Sequence, residues 1–208
     1  MKKIGIIDYD VGNFFSLENA LKYLKINYVI TDDVRVLEEC SHIILPGVGA
    51  FLPAIKSLKK KKLDKFIKKI VLEKKPLMGI CLGMQLLFEK SNEFGNHKGL
   101  NLIKGRVKKI ELRKIKIPVI GWYKINMKKK FFSKELNIKF VYLIHSYECI
   151  PADKNHIMAT YTLQKEKKIV CAVKKDNIFA VQFHPEKSDF DGIKVLKSFY
   201  NYKNEKKY

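Results

Sequence analysis

The chain has 208 residues, 47% of them apolar, and carries 42 Lys and Arg against 21 Asp and Glu, a formal net charge of +21. That apolar share suits one domain with a sizeable core, taken here as residues 1–208, and excludes a disordered chain. No run is long enough to span a bilayer, and the four cysteines (Cys40, Cys81, Cys149, Cys171) contain no C-x-x-C pair, which argues against a zinc cluster.

The N-terminal "KKIGIIDYD" (2–10) reads as an apolar strand ending in acidic and turn residues, with no secretory segment before it. A cytoplasmic protein with reduced thiols is therefore expected. "SLENALKYLK" (16–25) reads as a helix with Ser16 as N-cap and Leu17, Ala20, Leu21 and Leu24 on one face. "NYVITDD" (27–33) and "SHIILPGVGAF" (41–51) read as strands, the second running into a Pro/Gly-rich turn. "KSLKKKKLDKFIKK" (56–69) reads as one amphipathic helix with a basic outer face. Nearly all the positive charge is lysine, with arginine only at 35, 106 and 113. Bidentate recognition of phosphates and bases favours arginine, so a solvated basic face, or one meeting a more acidic protein, is preferred to a nucleic-acid binder.

"PLMGI" (76–80) reads as a buried strand and "MQLLFE" (84–89) as a helix. Strand and helix alternate to this point, which argues a parallel sheet with helices on both faces and a site at the strands' carboxyl ends. Beyond about residue 100 the apolar segments "LIKGRVKKIEL", "KFVYLIHSYECI", "KKIVCAVKKD" and "NIFAVQFHPE" have little helix between them and read as antiparallel or mixed additions to that sheet. "SDFDGIKVLKSFYNYK" (188–203) closes the chain as a helix, with Ile193, Leu196, Phe199 and Tyr200 inward.

Three stretches carry chemistry. In "GICLGMQ" (79–85) Cys81 stands between glycines two positions away on either side, as a sharp strand-to-helix turn holding a nucleophile requires. A helix N-terminus there favours a thiolate. In "QFHPEKS" (182–188) His184 and Glu186 are two apart across Pro185; extended backbone would point both side chains the same way. A carboxylate beside an imidazole fixes its tautomer, and the imidazole can deprotonate a thiol, giving Cys81 as nucleophile, His184 as base and Glu186 as orienter. "LPGVGAF" (45–51) supplies backbone N–H groups that could cradle an oxyanion. A lone buried cysteine or a surface His-x-Glu is ordinary; the three together, on strand ends of one α/β domain, are not.

"GICLGMQLLFEKSNE", "VQFHPEKS", "LPGVGAF" and "IIDYDVGN", with "GW" (121–122) and "HSY" (145–147), resemble the glutaminase subunits of imidazole glycerol phosphate synthase, a branch of the triad (class I) glutamine amidotransferases. The resemblance runs from Ile4 to Phe199. It implies a flavodoxin-like α/β domain with a mostly parallel central sheet and antiparallel additions in the C-terminal half. It also implies hydrolysis of glutamine to glutamate and ammonia, with Cys81, His184 and Glu186 as the catalytic set. The oxyanion and glutamine would be held at Gly47, Val48, Gly49, Leu82, Gln85, His145, Ser146 and Tyr147. The ammonia would pass into a HisF-type (β/α)₈-barrel synthase subunit contacted through Asn13, Trp122, Tyr142 and Lys187. No metal or organic cofactor is implied.

The chain departs from that family pattern at "PVIGWY" (118–123), where the family has P-H-M-G-W-N, at Phe15, where it often has an arginine, and at "GLN" (99–101), where it has G-L-G. None of these touches the catalytic set; several fall where the synthase contact would lie. Two alternatives stay open on the sequence: a paralogue feeding ammonia through a HisF-like partner to another acceptor, such as a surface-polysaccharide sugar, and a non-catalytic docking or nucleic-acid-binding protein.

Overall fold

The computed structural model describes residues 2–112, 116–128 and 136–203. The first half runs β1 (Ile4–Ile7), α1 (Phe14–Tyr23), β2 (Tyr28–Thr31), α2 (Val34–Glu38), β3 (His42–Leu45), α3 (Phe51–Lys60), α4 (Leu63–Leu72), β4 (Leu77–Ile80) and α5 (Leu82–Leu86). The second half runs β5 (Phe88–Ser91), β6 (His97–Lys98), β7 (Ile103–Lys109), β8 (Val119–Met127), β9 (Phe140–His145), β10 (Tyr147–Pro151), β11 (Ile157–Leu163), β12 (Lys167–Lys175), β13 (Ile178–Val181) and α6 (Asp189–Asn201).

Nine strands form one sheet in the order β2-β1-β3-β4-β13-β12-β11-β8-β9. The first five are parallel and the rest antiparallel, the division expected from the sequence. The parallel half repeats the flavodoxin-like strand order. Its fifth place is taken by β13, nearly the last element in the chain, which brings the end of the sequence beside β4 in its middle.

The side chains of these strands alternate between two cores. Ile4, Ile6, Met78, Ile80, Phe179 and Val181 face one core with Leu17 and Leu21 of α1 and Leu196 and Phe199 of α6. Ile7, Leu77, Ile178 and Ala180 face the other, with Leu58, Phe66 and Ile70 of α3 and α4. Each large apolar side chain sealed in this way contributes about 1.5–3 kcal/mol relative to exposure. Among the described residues no helix is long and apolar enough to cross a membrane.

Five local expectations are corrected. The first helix starts at Phe14 with Asn13 as its N-cap residue, so Ser16 lies inside it. Phe14 packs on the core and draws the first turn forward. The lysine-rich stretch is two helices, broken at Lys62, whose backbone is left-handed (φ 59°). Phe51, Ala54, Ile55 and Leu58 line one helical face, and Leu63, Phe66, Ile67 and Ile70 another. At about 100° per residue Leu58 and Leu63 would point about 140° apart on a continuous helix, so the chain turns and restarts.

The helix after Cys81 ends at Leu86, and Phe88 opens β5. Leu86, Leu87 and Phe88 are all buried, and a solid apolar run suits a buried strand as well as a helix. The segments around β7 and β10 are not additions to the main sheet; with β5 and β6 they make a separate four-stranded sheet, β10-β7-β5-β6. Finally, His184 is extended (φ −96°, ψ 99°), as a residue before proline should be, but Pro185–Lys187 form a 3₁₀ turn. The turn, not a continuing strand, brings Glu186 back to the imidazole.

Candidate active site

Strands β4 and β13 are parallel neighbours in register, with Ile80 opposite Val181. The chain beyond each leaves the sheet at the same edge. Cys81 follows β4 directly and donates its N–H to the Val181 carbonyl at 2.8 Å. Its backbone sits at φ 53°, ψ −110°, a strained conformation for a side chain that must stand out from a turn. The flanking glycines make the turn possible. A Cβ on Gly83 would lie 1.9 Å from the Leu45 carbonyl oxygen, and one on Gly79 would lie 2.8 Å from Leu87 and 3.0 Å from the Gly83 backbone.

The His184 Nδ1 meets Glu186 Oε1 at 2.7 Å, with both side chains 7% exposed. That leaves Nε2 for Cys81, whose thiol reaches the Ile144 carbonyl at 3.8 Å. Burial works to lower the His184 pKa, but the hydrogen bonds and charges of Cys81 and Glu186 outweigh it and push the imidazole up to about 10. The arrangement therefore favours the imidazolium form of His184. Ser188 braces it: its hydroxyl donates to the His184 carbonyl at 2.6 Å and accepts the Tyr142 N–H, while the His184 N–H reaches the Tyr142 carbonyl at 3.0 Å.

A cavity of about 660 Å³ opens over Cys81. Val48, Gly49, Leu82, Gln85, Ser146 and Tyr147 line it, as does His145. Gly49 has φ 93°, which only glycine adopts at ease. Gly47 lies behind this loop, where its carbonyl accepts the Leu82 N–H at a long 3.4 Å. His145 lines the cavity but spends its ring inside the protein, with Nδ1 on the Tyr147 carbonyl at 2.8 Å and Nε2 on the Tyr161 hydroxyl at 2.9 Å. Burial lowers its pKa to about 4, so it stays neutral and shapes the wall rather than offering a charge.

Asn13 and Lys187 stand on the lining too. Trp122 and Tyr142 do not line the cavity. They face each other across β8 and β9 with ring centroids 5.8 Å apart, on a face where Ile120, Trp122 and Phe140 are all about half exposed. Glu93, Phe94 and Lys109 line the cavity without having been expected there. Glu93 is buried and its carboxylate accepts the Phe51 N–H at 2.6 Å, anchoring the start of α3 beside the Gly49 turn. Neither Glu93 nor Phe94 has a spacing signal in the sequence; they arrive through the second sheet. Among the described residues no group of three or more His, Cys, Asp or Glu is placed to hold a metal ion.

The chain matches the family Glutamine amidotransferase class-I over residues 6–201. It is 45% identical over 199 residues to the imidazole glycerol phosphate synthase subunit HisH of Caldanaerobacter subterraneus subsp. tengcongensis, covering 94% of this chain and 96% of that protein. It is 43% identical over 199 residues to the HisH subunit of Prochlorococcus marinus, covering 94% and 92%. Among solved structures, a chain of PurLQS from Thermotoga maritima superposes with a TM-score of 0.73 at 22% identity over 96% of this chain and 98% of that one, a likeness of fold. The chain therefore belongs to the class-I glutamine amidotransferases and, within them, to the family of HisH subunits of imidazole glycerol phosphate synthase.

Proposed function

We propose that this chain is the single-domain glutaminase subunit of an imidazole glycerol phosphate synthase, working in the cytoplasm with Cys81, His184 and Glu186 as its catalytic triad. The observation that carries the proposal is the buried line of Cys81, His184 and Glu186 at one cavity, in a chain 45% identical to a HisH subunit.

In the proposed cycle the Cys81 sulfur attacks the side-chain carbonyl carbon of glutamine, and the carbonyl oxygen becomes an oxyanion. The Leu82 N–H, released from its long contact with Gly47, and a backbone N–H at Val48 stabilise that charge. His184 passes its proton to the leaving nitrogen, and ammonia departs from a thioester. Water then attacks the thioester while His184 takes up a proton, and glutamate and the Cys81 sulfur are released. Glu186 holds the imidazole upright through Nδ1 and stabilises its charged form. Gly49, Gln85, Ser146 and Tyr147 hold the substrate.

The ammonia passes to a HisF-type barrel subunit, where it serves imidazole glycerol phosphate formation in histidine biosynthesis. Ile120, Trp122 and Phe140 offer an apolar face beside the cavity, and Asn13 and Lys187 stand at its lining, which suits a partner seated over the opening. The test is glutamate release with a HisF-type barrel and its phosphoribulosyl-formimino ribonucleotide. Stimulated glutamate release together with imidazole glycerol phosphate is the result expected. Glutamate released without that product would redirect the ammonia to another acceptor.

A further inference from the structure

Gln182 is the first residue after β13 and is wholly buried. A polar side chain sealed from water is costly unless its polar atoms find partners. The Gln182 amide has three. Its Nε2 donates to Cys81 Sγ at 3.7 Å, and its Oε1 accepts from Gln85 Nε2 at 3.2 Å and from Cys149 Sγ at 4.0 Å. The Cys149 thiol is fully enclosed, and burial, with the nearby charges of Cys81 and Glu148, raises its pKa well above the thiol range. It therefore stays protonated and meets Gln182 as a donor. A donor thiol faces the oxygen end of the amide, so the nitrogen end is the one that faces Cys81. The backbone is pinned as well, by the Gln182 N–H on the Cys171 carbonyl at 2.9 Å.

We propose that Gln182 is a charge-stabilising and positioning residue, whose amide N–H holds negative charge on the Cys81 sulfur while its oxygen tethers Gln85 at the cavity wall. The inference rests on the glutaminase reading for what the sulfur attacks. A neutral amide donor stabilises a thiolate without adding a titrating group of its own, and hydrogen bonds to charged atoms are stronger than those between neutral ones. Because the same amide touches both Cys81 and Gln85, the nucleophile and one wall of the substrate pocket are held in fixed relation.

The test is the rate at which iodoacetamide alkylates Cys81 in the intact chain, read by peptide mapping from pH 5 to 10. The parent is compared with the apolar Gln182→Met and the isosteric Gln182→Glu. In Gln182→Met the alkylation profile moves to higher pH by about one unit, a tenfold loss of thiolate at neutral pH. In Gln182→Glu, which sets a carboxylate against the sulfur, it moves further. Glutaminase kcat/KM falls about tenfold in Gln182→Met, with KM rising because Gln85 loses its tether. Profiles that superimpose on the parent in both variants, with only the melting temperature lowered, would overturn the proposal and leave Gln182 a packing residue. A parent Cys81 no more reactive at neutral pH than an ordinary thiol would instead overturn the nucleophile reading, and this inference with it.

Discussion

The Cys81 N–H donates to the Val181 carbonyl at 2.8 Å, so the Cys81 turn is bonded to the strand that ends three residues before His184. His184, the proposed base, and Cys81, the proposed nucleophile, thus follow the ends of neighbouring strands. Positions 81 and 184 are far apart in sequence, and only the insertion of β13 beside β4 brings them together. Anything that loosens this pairing should cost activity before it costs the fold.

Glu186 accepts from His184 through Oε1, while its buried Oε2 has no hydrogen-bond partner among the described residues. Glu186→Gln keeps an acceptor oxygen and loses the charge; His184→Ala loses the base itself. We expect His184→Ala to lower kcat for glutamate release by roughly 10³-fold, and Glu186→Gln to lower it at least about tenfold less. Steady-state kinetics with the barrel partner present reads both, and equal or reversed losses would count against the orienter role.

Trp122 is 52% exposed and leans edge-on against Tyr142, whose carbonyl holds the His184 N–H. An exposed side chain contributes little to stability but can anchor an interface. Trp122→Ala should leave the melting temperature within a few degrees of the parent and weaken partner affinity by roughly tenfold or more. Calorimetric titration with the barrel subunit measures this. A large fall in melting temperature with unchanged affinity would make Trp122 a packing residue.

His42 is buried against Phe199 and uses both ring nitrogens, on the Ser41 hydroxyl and the Tyr202 carbonyl. Burial lowers its pKa to about 4. The unfolded chain, with an ordinary pKa near 6.5, therefore binds more protons than the folded one in between. The stability from neutral His42 is present above pH 6.5 and is lost as pH falls towards 4, about 3 kcal/mol in all. His42→Gln removes that titration. Its melting temperature, lower than the parent's at pH 7, should fall less than the parent's between pH 7 and 4.5; parallel declines would refute the assignment.

Gly83 approaches the Leu45 carbonyl so closely that no side chain fits. Gly83→Ala has to push β3 away from the Cys81 turn, because the obstacle is backbone and cannot rotate aside. A loss of several kcal/mol in denaturant unfolding, or failure to fold, is expected. A stable, active Gly83→Ala protein would show that the turn is looser than its geometry indicates.

Much of this site was legible in the sequence because its chemistry is local. The glycines around Cys81 announce a turn that only glycine permits, and His184, Pro185 and Glu186 lie within one short stretch. The parallel half of the sheet followed from strand–helix alternation. What escaped depends on distant pairing. Glu93 and Phe94 reach the cavity only because β5 leaves the helix early and pairs with β7, which no period in "LLFEKSNEF" reveals. Gln182 stood inside a quoted motif, but its importance depends on Cys81 after β4, Gln85 in α5 and Cys149 in β10 meeting it. The break at Lys62 was visible in principle, since the five-residue step from Leu58 to Leu63 fits no single helical face.

The most direct measurement is glutamate release from glutamine by the parent and by Cys81→Ala, each with the HisF-type barrel and its ribonucleotide substrate. Cys81 sits in a strained turn, and alanine keeps the Cβ while removing the sulfur, so the variant should melt close to the parent. Stimulated glutamate release by the parent and none above background by Cys81→Ala is the expected result. Parent-like turnover by a folded Cys81→Ala protein would contradict it.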